Sequence, residues 1–342
     1  MILSCSYEVD PNQWDKDLAE LGGNIFHSSG WALYKRNAEP NLRPCYFYFK
    51  SDDQLIGIAL GFIEKSKNIF VSFLYNQLIF DSFPVIRHNS EKSLKEALLL
   101  LERHARKIRI VKLSVGSFAS RLPTFDPNVF GFDITERIEF ILSLKKSEDE
   151  LWHSMEHKRR KNINKAVRYG VTIQDLPVDE GIGIYHKVKA DSRERILKRG
   201  GPDISKMNNS EDDPVKVLLE KGLCRIVGAK IGDEYTSVGI FSQFNGLVYH
   251  MLSGHSQRAL ETQSPTLLLW ECIKRYKAEN AEKFNLSGCK GDAINEKSSE
   301  HGVYNYKRAY GAEAVRCCSL EKIINRSKFN GYMMLKEVSR RW

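Results

Sequence analysis

One basic run and two isolated lysines are the places in this chain where residue type and spacing could do chemistry. Between Glu156 and Gly170 stand six Lys or Arg residues against one Glu. Like charges packed so closely repel one another, and a bound anion, a phosphate or an RNA backbone, would relieve that repulsion. The plain alternative is the solvated outside of a helix. At helical spacing Trp152, Met155, Ile163 and Ala166 form an apolar stripe with Arg159 inside it, while Lys158, Lys161, Lys165 and Arg168 share a different, cationic face. Lys307 lies between Tyr306 and Tyr310. An ammonium fixed in a partly desolvated cleft would stabilise a developing oxyanion or hold a donor phosphate; otherwise Lys307 is a surface lysine on a short helix. Lys35 follows Trp31 by one helical turn, so ammonium and indole share a face. His250, between Tyr249 and Met251, could serve as a base, although a satisfied strand histidine is the plainer reading. Asp191, Arg193 and Glu194 read equally as part of a substrate loop or as a solvated helix end.

Nothing in the chain reads as an enzyme nucleophile. The chain has no serine elbow and no Cys/His signature. Its seven cysteines (5, 45, 224, 272, 289, 317 and 318) are scattered, odd in number and form no C-x-x-C. Reduced thiols are therefore expected, with no structural zinc and no disulfide framework.

The elements that must position these residues come from 342 residues, 42% hydrophobic and 28% charged, which is the composition of an ordinary folded protein of about two domains. No apolar run approaches the ~20 residues of a membrane span, and the first ten residues lack a basic, then apolar, leader, so a cytoplasmic location is expected. The formal net charge of +9 is compatible with an anionic partner. Helices are expected at Phe26–Asn37, Ser90–Lys107, Glu148–Tyr169 as one piece, Gly183–Leu197, Ser264–Ala278 with Ser264 as cap, and Gly302–Ala309. Strands are expected at Cys45–Phe49, Leu55–Ile63, Ile69–Tyr75, Gln77–Phe80, Ile108–Val115 and Ile138–Leu144, then at Cys224–Ile231, Thr236–Phe244, Leu247–Ser253, Lys283–Leu286 and Glu313–Leu320. Asn245-Gly246 marks a hairpin, and the stretch from Arg199 to Pro214 reads as a polar loop. Both halves thus repeat one order: a meander of strands, a helix, a strand and a last strand.

Three segments resemble the Fem-type (FemAB/FemX) aminoacyl transferases. Phe26-His-Ser-Ser-Gly-Trp31-Ala-Leu-Tyr-Lys35 resembles their F-x-S-x-x-W-x-x-x-K opening. The run Lys158-Arg-Arg160-Lys-Asn-Ile163-Asn-Lys165-Ala166 through Gly170-Val171 is similar to their K-x-R-x-x-I-x-K-A…G-V helix, and Tyr306-Lys307-Arg-Ala-Tyr310-Gly311 to their F-K-x-x-F-G element. The resemblance implies two tandem GNAT-type domains and transfer of an acyl group to an amine. It points to Lys307 as catalytic, to Lys35 and Trp31 in the acceptor site, and to Lys158 and Arg160 on substrate, where the periodicity adds Arg159; Tyr306 joins the substrate-binding set. Peptidoglycan-bridge enzymes of the family take aminoacyl-tRNA, and relatives in the wider group take acyl-CoA. The GNAT pyrophosphate loop, Q/R-x-x-G-x-G/A, is replaced by Gly254-His-Ser-Gln257-Arg258-Ala-Leu-Glu-Thr, which lacks both loop glycines. The helix opening with Ser264 and Thr266 is the donor-binding candidate.

The expected fold is α/β (α+β), two tandem GNAT-like domains, each a mixed, mostly antiparallel sheet flanked by helices, spanning 1–146 and 147–325 with a basic tail or helix at 326–342. The expected activity is transfer of an aminoacyl or acyl group to an amine of a phosphorylated cell-envelope precursor by direct attack, with no tightly bound cofactor and no metal. Aminoacyl-tRNA or acyl-CoA would be co-substrate, and the acceptor a sugar-peptide or amino-sugar. The competing readings are an acyl-CoA-dependent N-acyltransferase on an amino-sugar in polysaccharide synthesis, and a non-catalytic RNA-binding module. The basic tail, Lys322 to Trp342, suits a tRNA or peripheral membrane contact as well as a loosely packed helix.

Overall fold

The computed structural model describes residues 1–66, 68–87, 90–120, 122–123, 125–198 and 213–340. Most of the polar loop expected at Arg199 to Pro214 lies outside the described residues. The chain forms two compact units, the first from Met1–Arg137 with Arg316–Trp342, the second from Ile138–Val315.

Unit 1 opens with β1 (Ile2–Ser6) and α1 (Pro11–Glu20). Asp10 caps α1 by accepting from the Gln13 N–H, and Pro11 occupies the first turn, where no N–H is needed. A short 3-10 turn at Ile25–His27 leads into α2 (Ser29–Ala38), capped by the Ser28 hydroxyl. The antiparallel pair β2 (Leu42–Ser51) and β3 (Gln54–Lys65) turns through Asp52 and Asp53, both at positive φ. The next apolar run is helical, α3 (Ile69–Leu74), not the strand its composition suggests. Asn68 starts it by accepting from the Val71 N–H at 3.3 Å, and a short apolar run has no periodicity that would decide the matter from sequence. Then come β4 (Asn76–Phe80), β5 (Val85–Ile86), α4 (Glu91–Lys107) and β6 (Lys112–Val115). A Ser90–Ser93 capping box opens α4, which buries Leu94, Ala97, Leu98, Leu101 and Ala105, the face that three-and-four spacing marks. The strands lie in the order β1-β2-β3-β4-β6, all antiparallel except β4 with β6, and β5 pairs with β3.

Unit 2 begins within β7 (Asp133–Ser143) and continues through α5 (Glu148–Ser154), α6 (His157–Arg168), β8 (Thr172–Asp175), α7 (Val178–Lys198) and α8 (Lys216–Glu220). Next are β9 (Cys224–Ile231), β10 (Glu234–Phe244), β11 (Leu247–His255), α9 (Gln257–Thr262), α10 (Ser264–Ala278), β12 (Lys283–Lys290) and α11 (His301–Arg308). Strand order is β7-β12-β11-β10-β9-β8. Asn245 and Gly246 both take positive φ and close the β10–β11 hairpin, the backbone that a two-residue turn demands. The helix expected over 148–169 is two helices, because Met155 is extended and breaks the run. Helix α10 is preceded by Gln263 in the left-handed region, so Ser264 is its first residue and not its cap.

The chain returns to unit 1 through β13 (Glu313–Ile323), which pairs antiparallel with β6, and ends in α12 (Arg326–Arg340). Cys318 and Leu320 enter the core of unit 1 beside Phe47, Phe80 and Leu101. The expected divisions at 146 and 325 therefore differ from the compact units on both counts: residues 138–146 pack with unit 2, and everything from Arg316 onward with unit 1. A strand whose partner is remote in sequence carries no local mark of that partner.

Candidate active site in unit 2

The break between α5 and α6 decides what the basic run can do. At the C-terminal end of α5 the Trp152 carbonyl accepts from the Met155 N–H (3.3 Å), and Arg160 Nη1 donates to three carbonyls there, Trp152 (3.3 Å), His153 (3.1 Å) and Met155 (3.0 Å). Arg160 is thereby held at the helix end by its Nη1 and is not among the residues lining the pocket at Arg159, so the geometry gives the substrate-binding role expected of it no support. Arg159 is the inward arginine, only 8% exposed. Its guanidinium lies over the rings of Tyr306 (4.1 Å to the centroid) and Tyr310 (4.9 Å), and donates to Thr266 Oγ1 (3.2 Å) and the Tyr306 carbonyl (3.1 Å). Its buried Nε has no hydrogen-bond partner among the described residues.

Arg159, Thr266 and Tyr306 line a pocket of about 590 Å³ together with Lys158, Gln263, Asn305 and the Glu156–Arg308 ion pair (3.0 Å). The first turns of α6 and α10 both open onto it, and among the described residues no side chain caps either helix. Uncapped N–H groups and the positive helix end favour an anion there. In each helix the third N–H is taken by the carbonyl before the first turn, Arg159 by Glu156 (2.8 Å) and Thr266 by Gln263 (2.9 Å), and in α10 Pro265 in addition has no N–H. Ser264 is fully buried, its hydroxyl meeting those of Thr236 and Thr262 (each 2.8 Å), and it does not line the pocket. The donor-binding pair expected at Ser264 and Thr266 thus divides: Thr266 holds Arg159 at the pocket wall, and Ser264 faces the core. The stretch aligned with a GNAT pyrophosphate loop is the short helix α9, and Gly254 before it packs against the backbone of Lys189, with a Cβ there meeting Lys189 N at 3.0 Å.

Lys307 is one residue round α11 from Tyr306 and is not among the residues lining this pocket. Its Nζ donates to the Gly288 carbonyl on β12 (3.0 Å). Strands β11 and β12 run parallel only where Leu247–Tyr249 face Lys283–Asn285. There Ser287 takes φ +64° and gives its N–H to the Asn285 side chain (2.8 Å) instead of a neighbouring strand. Asn285 Nδ2 also donates to buried Glu139 on β7 (2.7 Å), and the Tyr249 hydroxyl donates to the same carboxylate (2.7 Å). Glu139, Tyr249 and Asn285 thus fix the point where the parallel pair ends, and Lys307 stands just beyond it. None of the three stood out in the sequence, since they come from separate strands. Burial, with the positive charge of Lys307 and the neighbouring His255, holds the His250 imidazole down at about 3. Stacked on Phe241 at 4.8 Å, His250 is neutral at pH 7 and too weakly basic to take a proton from an ammonium. Asp191, Arg193 and Glu194 all lie within α7.

Trp31 and Lys35 belong to unit 1. Trp31 is buried, and its Nε1 donates to Asp81 (2.7 Å). Burial raises the Asp81 carboxyl, and the Lys35 charge opposes that rise. Lys35 itself pairs with Glu39 at 2.7 Å. Among the described residues there is no cluster of three or more His, Cys, Asp or Glu side chains able to hold a metal ion, and no helix is long and apolar enough to cross a membrane.

Residues 125–197 match the model of the FemAB family. A comparison with curated proteins finds no match. Among solved structures the fold is similar to FemX at a TM-score of 0.76 and 14% identity, over 96% of this chain and 99% of that one. It is similar to L-PGS from Bacillus licheniformis at 0.55 and 16%, over 97% of each chain. A tandem GNAT protein from the clavulanic acid biosynthesis pathway follows at 0.52 and 12%, covering 95% and 99%. The fold is similar to that of FemX and of a tandem GNAT protein, as the three sequence segments lead one to expect.

Proposed function

We propose that this protein is an acyltransferase of cell-envelope synthesis that moves an aminoacyl group from aminoacyl-tRNA to an amine of a phosphorylated precursor. The observation that carries the reading is Arg159: a cation nearly sealed in protein, its buried Nε without a partner among the described residues, at a pocket onto which two uncapped helices open. Such a place is built for an anionic group. The α10 end offers few donors for a pyrophosphate, because Pro265 lacks an N–H and Thr266 has spent its own. That favours the phosphates of a charged tRNA end over those of CoA. The FemAB match and the FemX-like fold support the reading at the level of class.

In this proposal Lys307, steadied by the Gly288 carbonyl, stabilises the oxyanion as the acceptor amine attacks the activated carbonyl directly. The ester bond to the donor breaks and the proton of the attacking amine is passed to the leaving hydroxyl. Trp31 and Lys35 are proposed to belong to the acceptor's binding surface. A second reading, acyl-CoA-dependent transfer to an amino-sugar, is favoured by the opening of the parallel pair after Asn285, where backbone groups of β11 and β12 could pair with an extended amide-bearing arm.

A thermal-shift and transfer experiment with charged tRNA and with acyl-CoA separates the two. A ligand at about 100 times its Kd adds roughly 2.7 kcal/mol. Stabilisation by charged tRNA that is lost in Arg159→Lys supports the proposal. Stabilisation by acyl-CoA alone transfers the assignment to the second reading, and tRNA binding with no transfer to any amine would leave an RNA-binding module.

A further inference from the structure

The C-terminal helix has two apolar faces, and only one is used. On the first, Tyr332 stacks on Tyr75 of unit 1 at 4.3 Å with an interplanar angle of 17°, and Phe329 packs beside it. The second is a stripe at Gly331, Met334, Leu335 and Val338, the spacing of a single helix face. Met334 is 68% exposed, Leu335 47% and Val338 56%. The Leu74 side chain approaches Gly331, so the stripe runs on to α3, where Phe73 is 67% exposed beneath the Lys328 ammonium. From Arg326 to Trp342 the chain carries five Lys or Arg against one acid, Glu337.

We propose that α12 and Phe73 form a docking surface for an anionic phospholipid bilayer, with the stripe inserted at the level of the headgroups and the cations on their phosphates. The pairing of charge with grease selects this occupant. A polynucleotide would meet the cations and leave the four large apolar side chains in water, whereas a second copy would bring two basic helices together. This inference stands independently of the donor and acceptor assigned above.

The test is co-sedimentation of the full chain with vesicles of phosphatidylcholine alone and of phosphatidylcholine with about a quarter phosphatidylglycerol. Binding is expected only to the anionic vesicles and should weaken as salt rises from about 50 to about 500 mM. In M334S/L335S/V338S it should fall about tenfold with an unchanged melting curve, because the replaced side chains are exposed. Equal binding to neutral vesicles, no binding to either, or full binding by the triple variant would overturn the proposal. So would tRNA binding lost in K328A/K336A without any vesicle binding, or a concentration-dependent dimer abolished by the triple variant.

Discussion

The guanidinium of Arg159 lies 4.1 Å from the ring centroid of Tyr306 and also donates to the carbonyl of that residue at 3.1 Å. One side chain of α6 thereby fixes the angle of α11, and with it the position of Lys307, the next residue along. Arg159→Lys keeps a charge but cannot match the planar stacking or the fork of donors. Donor affinity is expected to fall about tenfold on the scale of a charge-assisted hydrogen bond. Arg160→Ala is the contrasting variant: it should lower stability by about 1 kcal/mol through uncapping α5 and leave donor affinity unchanged. Binding isotherms and melting curves on both proteins check the pair, and equal effects on donor affinity would contradict the assignment.

Lys307→Gln removes the ammonium while keeping a polar, unbranched side chain. A fall in kcat of about 10²–10³ with KM little altered is expected if the group acts on the oxyanion. A rise in KM at constant kcat would instead make Lys307 a binding residue.

Asn285→Ala strips one donor from the Glu139 carboxylate and the acceptor from the Ser287 N–H. A buried carboxylate left short of a donor costs about 1–3 kcal/mol, which equilibrium unfolding in urea would read directly. Activity should fall further than stability, since the end of the parallel pair loses its fixed place. A variant as stable as the parent would show that the three-residue network carries no load.

Burial holds the His27 imidazole at about 4, below its ordinary value of 6.5, in a side chain only 1% exposed. Below pH 6.5 the unfolded chain takes up a proton there and the folded chain does not, so stability falls as pH drops towards 4. At pH 5 the loss is about 2 kcal/mol from this group alone. Denaturation midpoints at pH 7.5 and 5.0 measure it, and His27→Gln should narrow the difference; an unchanged gap would assign the acid sensitivity elsewhere.

The parts of the fold legible in the sequence are those set by local physics. Leu94 to Ala105 declare α4 by spacing, and Asn245-Gly246 declares a hairpin because both residues tolerate positive φ. Arg159 is legible too, as the charge that falls on an apolar stripe. The Glu139 network is not, since its partners stand 110 and 146 residues away along the chain. The division of α5 from α6 is equally hidden: Met155 continues the apolar stripe, and the groups that hold the break, the Ala309 carbonyl on the Glu156 N–H (3.0 Å) and Arg160 on the end of α5, are remote or on the next helix. Ser264-Pro265 looked like a capped helix start, yet the cap position fell to Gln263 because the Ser264 hydroxyl is claimed by Thr236 and Thr262.

Because β13 supplies Cys318 and Leu320 to a core otherwise made from the first 137 residues, the order of synthesis is not the order of completion. A nascent chain emerging from the ribosome finishes unit 2 first, while the earlier-made part of unit 1 still lacks its last strand. That part must wait for some 180 residues of translation with the β6 edge unpaired, at about 5–20 residues per second. Cells making this protein quickly, or from a message cut short before Arg316, would expose that edge to chaperones and to aggregation.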